Sequence, residues 1–197
     1  MKRVRFIVSG ATGFLGGVLS RRLLRDGCEV VALGRQKAAL ERLAQAGARA
    51  IHCDLAGGEL ESIGEADVFV HCAALSSPWG TSEAFHAANV TGTERAIAMA
   101  RASGVRRFVH VSTPSVYFRF SDQIGLREDA HLPEPVNAYA ATKRRAEELV
   151  LACADLDPAI LRPRGIYGAG DTALLPRMLK TARTRALPLM RGGEAAT

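Results

Sequence analysis

The strongest constraint on the fold lies in the first two dozen residues. A short apolar run, Val4-Arg5-Phe6-Ile7-Val8, leads into Ser9-Gly10-Ala11-Thr12-Gly13-Phe14-Leu15-Gly16-Gly17, and helix-compatible sequence follows through Arg25. This order predicts a strand, a glycine-rich turn and a helix. Gly10 permits a tight turn at the strand end, where a positive φ penalises any residue with a Cβ. Gly13 lets the backbone approach a bound pyrophosphate, and Gly16 lets the helix pack closely on the strand. The helix N-terminus adds free N–H groups and a partial positive charge for an anion. The spacing is G-x-x-G-x-x-G rather than G-x-G-x-x-G. With 19 glycines in 197 residues, such a triplet alone means little. Between an N-terminal strand and an amphipathic helix, it points to dinucleotide binding.

The rest of the chain alternates strand and helix signals, which implies an α/β fold with a doubly wound parallel sheet. Strands are predicted at Glu29–Leu33, Ala48–His52, Ala66–Cys72, Arg107–Ser112 and Pro158–Leu161. Helices are predicted at Gln36–Ala46, Thr81–Ala102, Asn137–Ala154 and Thr172–Arg185, the second ended by Ser103-Gly104. Ala66–Cys72 is continuously apolar, as a strand covered on both faces should be. Phe118–Pro135 is long, polar and proline-bearing, a loop of a length that usually serves a function. No repeat or low-complexity linker interrupts the pattern.

Composition narrows the function classes. With 48% apolar and 23% charged residues the chain reads as globular, and no apolar run reaches the length of a membrane span. The N-terminal apolar stretch is too short for a signal peptide, so the expectation is a cytoplasmic protein without membrane partners. Cys28, Cys53, Cys72 and Cys153 are scattered and unpaired in sequence, which argues against a metal site. The net charge is +6, of which +5 falls from residue 160 onward. The main body carries no basic stripe interleaved with aromatics, so nucleic acid is not expected as a partner.

A candidate catalytic group stands out in Tyr139-Ala140-Ala141-Thr142-Lys143, where tyrosine and lysine share one helix face. Upstream, Val109-His110-Val111-Ser112-Thr113 sets a hydroxyl at the C-terminal end of the fifth strand. Doubly wound sheets bind ligands outside the carboxyl ends of their strands, beside the glycine turn. Hydroxyl, phenol and ammonium are therefore expected to converge there. A nearby Lys⁺ favours the phenolate of a tyrosine that otherwise titrates near pH 10. Tyr139 then exchanges a proton with a substrate oxygen while Thr113 holds that oxygen in line.

With these residues in order, the chain resembles an extended short-chain dehydrogenase/reductase of the NAD(P)-dependent epimerase/dehydratase group, which includes 3β-hydroxysteroid dehydrogenase-like enzymes. The resemblance covers the whole chain and implies a Rossmann-like fold. Its phosphate-binding motif matches Gly10-Ala11-Thr12-Gly13-Phe14-Leu15-Gly16, and its adenine-contacting acidic residue matches Asp54, followed by Leu55. The segment along the cofactor ribose matches His71-Cys72-Ala73-Ala74, and the asparagine of the long helix matches Asn89. The catalytic Ser/Thr, Tyr and Lys match Thr113, Tyr139 and Lys143. The stretch contacting the nicotinamide end resembles Leu161-Arg162-Pro163-Arg164-Gly165-Ile166-Tyr167-Gly168. The resemblance also allows a homodimer in a full-length parent.

Two departures matter. Many family members carry Val-Tyr-Gly where this chain has Val116-Tyr117-Phe118, which weakens the match to the sugar-nucleotide epimerases and allows a different or more apolar substrate. Members also generally continue for roughly another hundred residues. The expectation is thus a dinucleotide-binding domain over 1–170 and the beginning of a truncated substrate region over 171–197. Cofactor choice is read from Arg35, which follows the second strand in a stretch (Val30–Lys37) without a carboxylate. A guanidinium suits the 2′-phosphate of NADP(H), with NAD(H) as the second option. The expected activity is hydride transfer between a nicotinamide and a secondary alcohol or ketone. Epimerase or dehydratase chemistry, a non-catalytic NADP(H) sensor and an inert fragment stay open as alternatives.

Overall fold

The computed structural model describes residues 3–77, 79–172 and 174–186. Among these, β1 (Arg5–Ser9), β2 (Glu29–Gly34), β3 (Arg49–His52), β4 (Val68–His71), β5 (Arg107–Val111) and β6 (Ala159–Leu161) form one sheet, ordered β3-β2-β1-β4-β5-β6. Every neighbouring pair is parallel. The strand order reverses between β1 and β4, the topological switch point where such sheets open a crevice at their carboxyl ends.

The sequence forms these strands because alternate side chains of each feed different cores. In β2, Val31 and Leu33 join Ile7, Phe69 and Phe108 on one face, while Val30 and Ala32 join Val8 and Ala11 on the other. Burial on both faces is what makes these strands read as continuous apolar runs. Helices α4 (Gly92–Ala102) and α5 (Ala138–Leu151) cover the first face, contributing Ala96, Ile97, Ala100 and Val150. There the Phe69 and Phe108 rings stack at 5.1 Å. Helices α1 (Phe14–Arg25) and α2 (Lys37–Gln45) cover the second face, with Leu19, Leu23 and Leu43 packed on it. Helix α6 (Leu174–Thr184) has no buried residue.

One expected element differs. The predicted helix over Thr81–Ala102 is split into α3 (Ser82–His86), a π-turn at Ala87–Thr91, and α4. The π-turn carries Asn89, which is buried and fully engaged. Its Oδ1 accepts from the Leu75 amide (2.7 Å), and its Nδ2 donates to Leu75 O (3.3 Å) and Thr142 Oγ1 (3.1 Å). An extra residue in one turn lets this side chain reach both the segment after β4 and helix α5. Such bulges recur at functional positions. The Phe118–Pro135 loop is irregular, as expected, and begins after a 3₁₀ turn at Pro114–Tyr117.

Candidate active site

Gly10 sits at the end of β1 with φ +66°, and a Cβ there would lie 2.7 Å from the Ala73 amide. The turn and the segment after β4 thus meet at the switch point. A Cβ on Gly16 would come within 2.4 Å of the Gly10 carbonyl, so only glycine lets α1 start this close to the turn. Gly13 caps α1 with no side chain bonded to the helix, and the first turn holds no acidic residue. The N–H groups of Phe14 and Leu15 in that turn, and the dipole, are available to an anion. Phe14 packs toward the turn after β6, where an added Cβ at Gly170 would meet its ring at 3.6 Å.

Beside this turn opens a cleft of about 490 Å³, bounded by Thr12, Arg35, Asp54, Leu55, Ala73 and Ala74. Gly34, which sequence reasoning passed over, belongs here too. A Cβ at that position would collide with the Thr12 side chain at 2.4 Å. Arg35 and Asp54, read separately from the sequence, pair across the rim with Nη1 and Oδ2 3.5 Å apart. Both are well exposed, so the pair is weak and readily exchanged for another partner. A glycine cradle that a Cβ would fill, a free helix N-terminus and a rim cation together fit a dinucleotide phosphate group.

Two of the catalytic candidates, Thr113 and Lys143, lie at the end of β5, and the third, Tyr139, stands one helical turn before Lys143. Thr113 follows that strand and caps the 3₁₀ turn, its Oγ1 accepting from the Ser115 amide (3.2 Å) and donating to Ser115 Oγ (3.1 Å). Tyr139 lies in the first turn of α5, which Asn137 caps through its Oδ1 to the Ala140 amide (2.8 Å). One turn on, Lys143 is 1% exposed and donates from Nζ to the Val111 carbonyl (2.9 Å), two residues before Thr113. Lys143 is thus bonded to the strand that leads to Thr113, and Tyr139 precedes it by one turn on the same helix; among the described residues no hydrogen bond joins the three directly. Pro163 and Gly165 follow β6, the next strand over.

Sequence patterning assigns no role to the two histidines that stand behind Lys143. Its Nζ lies 3.0 Å from Nε2 of His110, a fully buried residue whose Nδ1 has no partner among the described residues. His71, equally buried on β4, bonds Ser9 Oγ (2.7 Å) and Thr93 Oγ1 (3.1 Å). The single Thr93 hydroxyl proton goes to the Asn89 carbonyl (2.6 Å), so His71 carries its proton on Nε2 and accepts from Ser9. Burial, aided by the Lys143 charge, pushes His71 down to about 3, and burial pushes His110 down as well. Burial lowers Lys143 to about 8, against the opposing pull of Glu147 and Cys72. Near pH 7 an ammonium therefore stands one turn from Tyr139, backed by neutral imidazoles.

A second buried group braces the site. Arg162, just after β6, donates from Nε and Nη2 to Glu147 of α5 (2.9 and 2.6 Å). Its Nη1 reaches the Tyr117 hydroxyl and the Glu128 carbonyl, and its guanidinium lies 4.7 Å from the Tyr117 ring centre. This cluster joins α5, β6, the 3₁₀ turn and the loop. Among the described residues, no group of three His, Cys, Asp or Glu is placed to hold a metal ion, and no helix is long and apolar enough to cross a membrane.

A doubly wound sheet, a glycine cradle at its switch point and a Tyr/Lys helix beside it define a dinucleotide-binding α/β domain. The profile of the NAD dependent epimerase/dehydratase family matches residues 6–196, and the chain belongs to that family. It is 38% identical over 199 residues to a 4-hydroxy-2-methyl-3-oxo-4-farnesyl-3,4-dihydroquinoline-1-oxide ketoreductase of Stigmatella aurantiaca, covering 98% of this chain and 60% of that protein. It is 38% identical over 203 residues to a 2-alkyl-3-oxoalkanoate reductase of Stenotrophomonas maltophilia, covering 97% and 59%. A UDP-glucuronic acid 4-epimerase from Bacillus cereus, solved in complex with NAD, aligns with a TM-score of 0.76 at 25% identity. That alignment covers 90% of this chain and 64% of the epimerase. The chain thus spans about six-tenths of the length of these curated relatives.

Proposed function

We propose that this chain carries the cofactor site and proton-transfer group of an NADP(H)-dependent oxidoreductase that interconverts a ketone and a secondary alcohol. The observation that carries the reading is the buried Lys143 ammonium, held on the Val111 carbonyl one helical turn from Tyr139 and two residues before Thr113. A bound nicotinamide would supply or accept the hydride. In the reductive direction Tyr139 gives its phenolic proton to the carbonyl oxygen as the hydride reaches carbon, and regains a proton from solvent. Thr113 turns its hydroxyl proton from Ser115 Oγ to the same oxygen and fixes its position. Lys143⁺ stabilises the tyrosinate left behind. Gly10, Thr12, Gly13, Phe14, Leu15 and Gly16 would hold the pyrophosphate, Asp54 and Leu55 the adenine side, Ala73 and Ala74 the ribose, and Pro163 and Gly165 the nicotinamide end. Asn89 acts through Leu75, which it holds in place. The reductase activities of the two relatives at 38% identity support reduction over the epimerisation of the more distant structural neighbour.

Arg35 underlies the choice of NADP(H). Its guanidinium stands at the end of β2, on the rim of the cleft, paired with an exposed Asp54 that a 2′-phosphate can replace. Fluorescence titration of the chain with NADPH and NADH tests this. NADPH should bind more tightly, and Arg35→Ala should erase about ten- to hundredfold of preference, the worth of a charge-assisted phosphate contact. Equal affinity in the unmutated chain refutes the cofactor assignment. In turnover assays Tyr139→Phe should abolish ketone reduction while leaving NADPH affinity unchanged, and unimpaired turnover refutes the proton role.

A further inference from the structure

Next to the dinucleotide cleft lies another, of about 430 Å³, which opens directly beside Tyr139. Its walls come from the segment after β4 (Ser76, Ser77, Trp79, Gly80), from Phe85 of α3 and from the first turn of α5. Phe85 is buried and meets the Tyr139 ring at a centroid distance of 6.2 Å. Gly80 lets the chain come close to that ring, because a Cβ there would lie 3.1 Å from Phe85 Cε2. Trp79 is the opposite case. It is the single tryptophan of the chain and stands 84% exposed, on the lip of a cleft beside the proposed acid/base. A lone exposed leucine needs no explanation, but an indole left in water at the reacting end of a cleft marks a surface that a ligand covers.

The chemistry of the walls says what kind of ligand. Among the described residues that line it none carries a charge, whereas the dinucleotide cleft has Arg35 and Asp54 on its rim. The polar side chains are partly committed already, since Asn137 Oδ1 caps α5 and Ser77 Oγ accepts from the Trp79 amide at 3.2 Å. Among the described residues a sugar diphosphate would find no cation in this cleft and few free hydrogen-bonding groups. An alkyl chain or neutral ring would find an indole face and an aromatic edge. We infer that this cleft receives the neutral, apolar arm of the ketone substrate, and that Trp79 is the residue that selects it. The inference rests on the oxidoreductase reading and deepens it by naming the substrate class.

Trp79 is also its own reporter. In the 197-residue chain with NADP⁺ bound, titration with methyl nonyl ketone should quench its emission or shift it to shorter wavelength, saturably. Acetone and UDP-glucuronic acid should do neither. By calorimetry, Trp79→Ala should weaken binding of methyl nonyl ketone by about tenfold, as expected for losing one large stacking surface, and Trp79→Phe should recover most of it. The exposure of Trp79 means that neither variant disturbs folding, which unchanged NADP⁺ affinity would verify. Equal ketone affinity in Trp79→Ala would place the ketone elsewhere and overturn the inference while leaving the oxidoreductase reading standing. A response to UDP-glucuronic acid in place of the ketone overturns it in favour of a nucleotide-sugar substrate. Failure to bind any dinucleotide removes the underlying reading, and the inference with it.

Discussion

Replacing Arg162 with methionine, a charged-to-apolar change beside the site, should cost this domain several kcal/mol, about 3–5. The reason is the partner left behind. Glu147 is 3% exposed at its side chain and accepts both bonds of the bidentate pair from Arg162, itself 17% exposed. Without the guanidinium, a carboxylate stays buried in α5 with its hydrogen-bonded countercharge gone, a change that typically costs about 3–5 kcal/mol. The guanidinium's face contact with Tyr117 and its bond to the Glu128 carbonyl disappear as well. In a domain of this size each kcal/mol moves the melting temperature by about 2–4 °C, so the midpoint should fall by about 6–20 °C. Thermal unfolding followed by circular dichroism measures it. The companion variant is Arg162→Met with Glu147→Leu, which removes both charges and should recover most of the loss, since apolar replacement of a buried pair is often neutral. A loss below about 1 kcal/mol in the single variant would refute the reasoning. So would a double variant as unstable as the single, because the uncompensated carboxylate would then not be the cause.

Two further outcomes are expected. Gly16→Ala reverses the usual gain of about 1 kcal/mol for glycine-to-alanine in a helix, because its Cβ would meet the Gly10 carbonyl at 2.4 Å. Chemical denaturation should show a loss, and titration should show weakened dinucleotide binding; a stabilised, binding-competent variant contradicts the close approach. His71, held down to about 3 in the fold against 6.5 when unfolded, makes the unfolded state bind more protons between those values. Stability should therefore fall as pH drops from about 6.5 toward 3, by at most about 5 kcal/mol from this group. Denaturation midpoints across that range should show the slope, flattened in His71→Gln, and an unchanged slope removes His71 as its source.

The glycine turn was legible because its requirement is local: a positive φ at Gly10 and a close approach at Gly16 are written within seven residues. The strands were legible because burial on both faces leaves apolar runs, and the Tyr139–Lys143 pair because four residues make one helical turn. The split of the long helix was not. Ala84-Phe85-His86-Ala87-Ala88-Asn89 holds no breaker, and the π-turn follows from bonds that Asn89 makes to Leu75 and Thr142, 14 and 53 residues away. The braces behind the site were hidden for the same reason. His110 and Lys143 are 33 residues apart, and Arg162 and Tyr117 are 45 apart. No local pattern marks either partner. Arg35 and Asp54 were each found, yet their pairing across β2 and β3 appears only when the strands are laid side by side.

The π-turn also makes the helix length-sensitive in an unusual way. Removing one residue from Ala87–Thr91 would restore ordinary α-geometry with little harm to the helix as such and leave its two flanks nearly in phase, because the wide turn absorbs the extra residue, while shifting the side chains inside the turn. Asn89 would then face away from either Leu75 or Thr142. A single amide now joins the strip that borders the dinucleotide cleft to the helix that carries Tyr139 and Lys143. The two halves of the site are hinged on one side chain, so a deletion that a helix would tolerate could uncouple them without unfolding either.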